Sequence, residues 1–284
     1  MAASDPTIVS SSACFGGRQL VVEHASAVLG CTMRLGIFLP PGHGASDDTP
    51  ALYYLSGLTC TEQNVVTKAG AQRACAAHGL LFVAPDTSPR GEHVADDPAY
   101  DLGKGAGFYL TATQEPWTPH YQMDRYIIEE VPEVVAHFTT SRRRGVTGHS
   151  MGGHGAITLA LRHPGAFESV SALSPILQPL DVPWGHKALA AYLGPDRAAW
   201  AAHDAASLIA DAAEKLPILI DQGGADGFLE TQLESARFLA AAAAAGHPVE
   251  YRRQPGYDHG YHFVATFIDD HVAHAARALC GVGR

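Results

Sequence analysis

Gly148-His149-Ser150-Met151-Gly152 is the stretch on which the fold turns. It is a G-x-S-x-G. A short β-type run, 145–147, leads into it, and a helical run, 153–162, follows and stops near Pro164. Strand, sharp turn and helix in that order are the surroundings of a nucleophile elbow. Such a turn is tight and strained, so the positions flanking the serine must be glycine. It lifts the hydroxyl clear of the sheet at a helix N-terminus, where free amides and the helix dipole stabilise developing negative charge. An ordinary Gly-rich turn between strand and helix is the competing reading, and the flanking elements favour the elbow.

Working outward, runs at 20–23, 32–39, 51–55, 80–84, 145–147, 169–173, 218–221 and 249–254 read as strands, and several are apolar throughout, as strands covered on both faces are. Helical segments lie between them. The segment 123–138 carries Ile127, Ile128, Val131, Val134 and Val135, the stripe of a half-buried helix, with Pro132 inside it predicting a kink. The alanines at 240–245 read as plain helix rather than linker. This alternation predicts an α/β protein with a mostly parallel central sheet. The short Gly-containing loop between the first two runs predicts an antiparallel leading edge. Neither repeat nor linker is visible, so a single domain over 1–284 is expected. Two long irregular stretches, 86–122 and 175–194, are expected to wall a substrate pocket.

A serine needs a base, and the base an acid to hold it. In this architecture the chain order is serine, acid, histidine. Asp226 follows the 218–221 strand and His259 follows the 249–254 strand, each in a loop past a strand's C-terminal end, where parallel sheets place their sites. Ser150, Asp226 and His259 are therefore the candidate triad. Asp221, Asp258 and His262 are the rivals; Asp221 falls early for the acid, Asp258 adjoins His259 so that their side chains diverge, and His262 falls in the first turn of the last helix. One oxyanion donor is expected from the Met151 amide and the other from the Leu58 amide, in the loop after 51–55. Cys60 lies two residues beyond; it reads as a pocket wall or a small buried hydrophobe, with nothing nearby to activate it as a nucleophile. His271 and His274 are three apart on a helix, and an exposed helical face is the expectation rather than a metal site.

Lys plus Arg is 19 and Asp plus Glu 29, a formal charge of −10, which argues against nucleic-acid binding and against a polybasic membrane-surface protein. Apolar residues make up 46%, so wholesale disorder is excluded. The longest apolar run, 238–245, is too short to span a bilayer. The five cysteines, Cys14, Cys31, Cys60, Cys75 and Cys280, make a poor disulfide framework and suit a reducing compartment. No signal peptide is visible at the N-terminus, and a cytoplasmic protein is expected.

The chain resembles the S-formylglutathione hydrolase (esterase D) family along nearly its whole length. The resemblance rests on Cys14-Phe15-Gly16-Gly17, the run from Leu55-Ser56-Gly57-Leu58-Thr59-Cys60 to Asn64, Asp86-Thr87-Ser88-Pro89-Arg90-Gly91, Gly105-Ala106-Gly107-Phe108-Tyr109, the elbow continued through Gly155, Pro183-Trp184-Gly185, Asp221-Gln222-Gly223 and Gly256-Tyr257-Asp258-His259. It implies an α/β-hydrolase fold, no cofactor, a triad landing on Ser150, His259 and Asp226, and often a homodimer. It also implies hydrolysis of S-formylglutathione to glutathione and formate, in formaldehyde detoxification, with a broad carboxylesterase on small acyl esters as the alternative. A formyl group offers little surface, so selectivity must come from the glutathione leaving group. Arg90, Lys104, Trp184 and Lys187, in or near the long loops, are its candidate partners.

Overall fold

The computed structural model describes residues 5–281, so Met1 to Ser4, part of the stretch in which no signal peptide is visible, lie outside the described residues. Nine strands form one sheet: β1 (Thr7–Cys14), β2 (Gly17–Ser26), β3 (Cys31–Leu39), β4 (Ala51–Leu55), β5 (Leu81–Pro85), β6 (Arg144–Gly148), β7 (Ser169–Leu173), β8 (Ile218–Gly223) and β9 (Val249–Gln254). Their spatial order is β1-β2-β3-β5-β4-β6-β7-β8-β9. The leading edge, β1 through β3 and its pairing to β5, is antiparallel, and every other pair is parallel.

β4, β5, β7 and β8 are buried along their whole length, and β4 and β5 accordingly read as unbroken apolar runs. One core packs the helix Met151–Arg162 against Val146, Val170, Ile218 and Ile220. A second, on the other face, packs the helix Tyr261–Cys280 against Leu52, Tyr54, Phe82 and Leu173. Strand order reverses at β4: the chain steps from β4 to β5 on one side, then crosses to β6 on the other. A parallel sheet opens a crevice at such a reversal, beyond the strands' C-terminal ends. The Leu58 loop and the G-x-S-x-G turn both leave the sheet there.

Three expectations are corrected. β1 was not among the expected strands; its residues, TIVSSSAC, are nearly all exposed, so no burial pattern marks it. The 123–138 helix is not one α-helix kinked at Pro132. It is α-helical over Met123–Arg125, a π turn over Tyr126–Glu130 and α-helical again over Val131–Val135. Proline lacks the N–H that an α turn would use and its ring crowds the carbonyl four residues back; the wider turn just before Pro132 relieves both. The segment 175–194 is only partly irregular, since Pro183–Leu193 is a helix with Trp184, Ala188, Leu189, Tyr192 and Leu193 buried along one side. A Cβ on Gly185 would stand 2.0 Å from the Pro179 carbonyl oxygen, so the glycine serves close approach inside this helix. The segment 86–122 has no helix or strand beyond an isolated bridge, Thr111 to Gln122. No described helix is long and apolar enough to cross a membrane.

Candidate active site

Ser150 sits between β6 and the helix Met151–Arg162 with φ 60° and ψ −121°, backbone that a side chain rarely adopts. Such strain persists only where the surroundings over-determine it. Here the Ser150 amide donates to the Leu173 carbonyl (2.9 Å), the His149 amide to that of Leu55 (3.0 Å), and the Ser150 carbonyl accepts from the His154 amide (3.0 Å). The flanking glycines are obligatory for contact reasons. A Cβ on Gly148 would lie 2.3 Å from the Gly152 carbonyl oxygen, and one on Gly152 would lie 1.9 Å from that of Leu55.

Ser150 opens onto a cavity of about 340 Å³ whose wall also includes His259, Leu58, Cys60, Tyr100, Trp184 and Phe228. His259, in the loop between β9 and the last helix, directs Nδ1 to Asp226 Oδ2 at 2.6 Å. A carboxylate only accepts, so Nδ1 carries the proton and Nε2 keeps its lone pair, the tautomer a general base requires. Asp226 is fully buried at its side chain. Burial works to raise its pKa, but hydrogen bonds from His259 and the Phe228 amide outweigh that and the pKa is lowered. The carboxylate is therefore ionised when it faces the imidazole.

The rivals are placed elsewhere. Asp221 is buried in a separate network, held by Arg252, His271 (3.0 Å) and Gln254. Asp258 accepts from the Gly260 amide, and His262 lies on the exposed side of the last helix. His271 corrects another expectation: it is buried, not on an exposed face, and its partner is Asp221. Among the described residues no cluster of three or more His, Cys, Asp and Glu could hold a metal ion.

The loop after β4 is held from several sides. Tyr109 donates to the Ser56 carbonyl (2.9 Å), and the Thr59 amide donates to that of Gly105 (2.9 Å). Thr59 takes a positive φ of 67°. The Leu58 and Met151 amides have no acceptor among the described backbone hydrogen bonds, which leaves both free to serve a developing oxyanion.

Of the candidate substrate contacts, the structure brings Cys60 and Trp184 to the cavity wall and none of the three cations. Arg90 binds Asp86 and the Cys60 carbonyl, Lys104 pairs with Asp96, and Lys187 with Asp101 at 2.5 Å. Arg90 thus buttresses the Leu58 loop. Burial pushes the Cys60 thiol pKa up, which fits a wall and not a nucleophile. Trp184 Nε1 donates to the Tyr100 hydroxyl (3.0 Å) and its ring packs on Phe228, 4.7 Å between centroids.

Three contributors were missed in the sequence. Tyr100 stands in the aromatic-rich 86–122 stretch and Phe228 two residues past the acid, which was the available signal for both. His149 is inside the motif itself. Its buried ring lies 4.5 Å from that of His259, and its Nε2 has no hydrogen-bond partner among the described residues. Burial and the neighbouring His259 hold its pKa well below the usual range, so it stays neutral beside the base.

The family model described as "Putative esterase" matches residues 26–274. The chain is 50% identical over 276 residues to a Mus musculus S-formylglutathione hydrolase, covering 95% of this chain and 98% of that one. A Rattus norvegicus S-formylglutathione hydrolase is 49% identical over the same coverage. Among solved structures, an S-formylglutathione hydrolase from Agrobacterium tumefaciens matches with a TM-score of 0.93 and 45% identity, covering 96% of this chain and 99% of that one. A ferulic acid esterase at 19% identity and a TM-score of 0.72 shares the fold alone. The chain belongs to the esterase family, with the α/β-hydrolase fold, and within that family it groups with the S-formylglutathione hydrolases.

Proposed function

We propose that this chain hydrolyses S-formylglutathione to glutathione and formate. Ser150 is the nucleophile, His259 the base and then the acid, Asp226 the group that fixes the imidazole, and the Leu58 and Met151 amides the oxyanion donors. The observation that carries the reading is the 2.6 Å His259–Asp226 pair on the same cavity as a serine strained at an elbow.

Ser150 Oγ attacks the formyl carbon as His259 Nε2 takes its proton. The carbonyl oxygen becomes an oxyanion between the two amides. Asp226 stabilises the imidazolium without taking the proton. Collapse breaks the carbon–sulfur bond and releases the glutathione sulfur, which takes the imidazolium proton. Water, deprotonated in turn by His259, attacks the formyl-enzyme; formate leaves and Ser150 regains its proton.

The leaving group must cross the aromatic wall of Tyr100, Trp184 and Phe228. Trp184 is the proposed contact for the glutathione moiety, while Lys187, three residues along the same helix, is held by Asp101. Cys60 is a wall. The same wall, free of cations, favours a side activity on small neutral esters. A cytoplasmic setting fits the five free thiols, formaldehyde detoxification is the proposed role, and a homodimer is what the family resemblance implies.

The test compares kcat/KM on S-formylglutathione and on p-nitrophenyl acetate. A strong thioester preference is expected, and parity would favour a broad carboxylesterase. Ser150→Ala should cost on the order of a millionfold on both substrates. Near-normal turnover in that variant would refute the mechanism. Trp184→Ala should raise KM for the thioester, and an unchanged KM removes it from recognition.

A further inference from the structure

Large aromatic side chains are exposed at few places among the described residues. Phe15 is one, between β1 and β2; the other two, Tyr100 (55%) and Phe228 (38%), stand on the wall of the Ser150 cavity. Trp184 packs on both, its ring 6.5 Å from Tyr100 and 4.7 Å from Phe228 between centroids. Exposed apolar surface beside a cavity marks a place where a ligand rests. The same wall carries a polar group that the mechanism leaves unused, the Tyr100 hydroxyl.

An indole N–H only donates, so in the 3.0 Å bond between Trp184 Nε1 and Tyr100 the phenol oxygen is the acceptor. The phenol proton therefore points away from the indole, and it has no acceptor among the described residues. A bond received at the oxygen polarises the O–H and makes it a better donor. The mount is firm. Asp101, the next residue, holds Lys187, one turn along the helix from Trp184. Tyr192, near the end of that helix, accepts from the Gly103 amide (2.9 Å) and donates to the Ala106 carbonyl (2.8 Å). The segment 100–106 is thus tied to one helix at three levels, and a donor held in advance costs little ordering when a ligand binds.

No Lys or Arg lines the cavity. A carboxylate desolvated against this wall would stay uncompensated, whereas an amide carbonyl exchanges one neutral donor, water, for another. The glutathione leaving group offers two amide carbonyls, both a few bonds from the sulfur, and keeps its carboxylates at its ends.

We propose that Tyr100 is a specificity-determining residue for the thioester: its hydroxyl, turned outward by Trp184 Nε1, donates to an amide carbonyl of the glutathione moiety. The inference rests on the reading of the reaction given above and names the polar group that grips its leaving group.

Tyr100→Phe is the informative variant, because an exposed ring loses one oxygen and the core is untouched. The expected result is a melting temperature close to that of the wild type, KM for S-formylglutathione about three- to tenfold higher, and kcat within about twofold, as for a contact made equally in the ground and transition states. The inhibition constant of glutathione, measured against p-nitrophenyl acetate hydrolysis, should rise by the same factor. Wild-type KM and wild-type glutathione inhibition in Tyr100→Phe would overturn the proposal. So would a loss in Tyr100→Leu that Tyr100→Phe does not share, since the ring and not the hydroxyl would then do the binding. The dimethyl ester of S-formylglutathione tests the acceptor: its carboxylates are masked, its amides remain, and Tyr100→Phe should raise its KM by that factor too. An effect that vanishes on the diester assigns the hydroxyl to a carboxylate and overturns the proposal. Wild-type protein measured alongside keeps the two readings apart. Parity between thioester and p-nitrophenyl acetate sinks the hydrolase assignment, whereas a clear thioester preference with Tyr100→Phe unaffected sinks only the role of Tyr100.

Discussion

At the scale of single residues, two aspartates five positions apart divide structure from chemistry. Asp221 lies within β8 and Asp226 just past its end, and the sequence favoured Asp226 on loop position. The structure supplies the physical reason. In the β8–β9 register Asp221 is directly opposite Arg252, and the guanidinium claims it. Burial raises the Asp221 pKa, but hydrogen bonds from His271, Arg252 and Gln254 more than reverse this and lower it to about 2. A depressed carboxylate contributes stability that is present above its unfolded pKa and lost as pH falls through the folded one. Asp221→Asn should therefore cost about 2 kcal/mol at neutral pH, and the difference from wild type should shrink between about pH 4 and pH 2. Denaturant titrations at several pH values check this; a gap that stays constant into acid would exclude the ion pair as its source. Asp226→Asn should behave otherwise, with kcat down by about ten-thousandfold, because an amide at this position no longer holds the base in its working tautomer. Steady-state kinetics against a melting curve separates the two aspartates.

At the scale of elements, the elbow was legible because its constraint is written in residue types. Gly152→Ala places a methyl 1.9 Å from the Leu55 carbonyl oxygen, inside the join between β4 and β6. We expect a loss of about 2 kcal/mol or more, seen as a lower melting temperature, and a collapse of kcat as Ser150 is displaced. A folded and fully active variant would show that the turn can relax in a way the contacts forbid. The strands 51–55, 169–173 and 249–254 were read with the observed bounds, since period and turn residues agree there. β1 escaped because an exposed edge strand of serines offers no apolar side. The Pro183–Leu193 helix escaped because Pro183 and Gly185 stand for helix breakers in sequence, whereas here proline occupies the first turn, where its missing N–H costs nothing, and glycine makes room for Pro179.

At the scale of the whole molecule, the strand reversal at β4 gathers the Leu58 loop and the elbow at one crevice, with the acid and base loops arriving from β8 and β9. The charge of the whole is the one global property that acts on this crevice. The chain carries a formal −10, and Arg90, Lys104 and Lys187 are each committed to a carboxylate. A glutathione thioester, with two carboxylates and one ammonium group, is itself an anion and approaches against the field. Screening over a Debye length of about 8 Å at physiological ionic strength weakens that repulsion. KM for S-formylglutathione should therefore fall as salt is raised from low ionic strength to about 0.15 M, while KM for a neutral ester stays level. A KM that rises with salt would mean that cations near the cavity govern encounter, with Lys187 released from Asp101 the first to examine. The Lys187→Ala variant under the same titration then separates the two cases: a rise that disappears in the variant belongs to that lysine, and one that persists belongs to another cation.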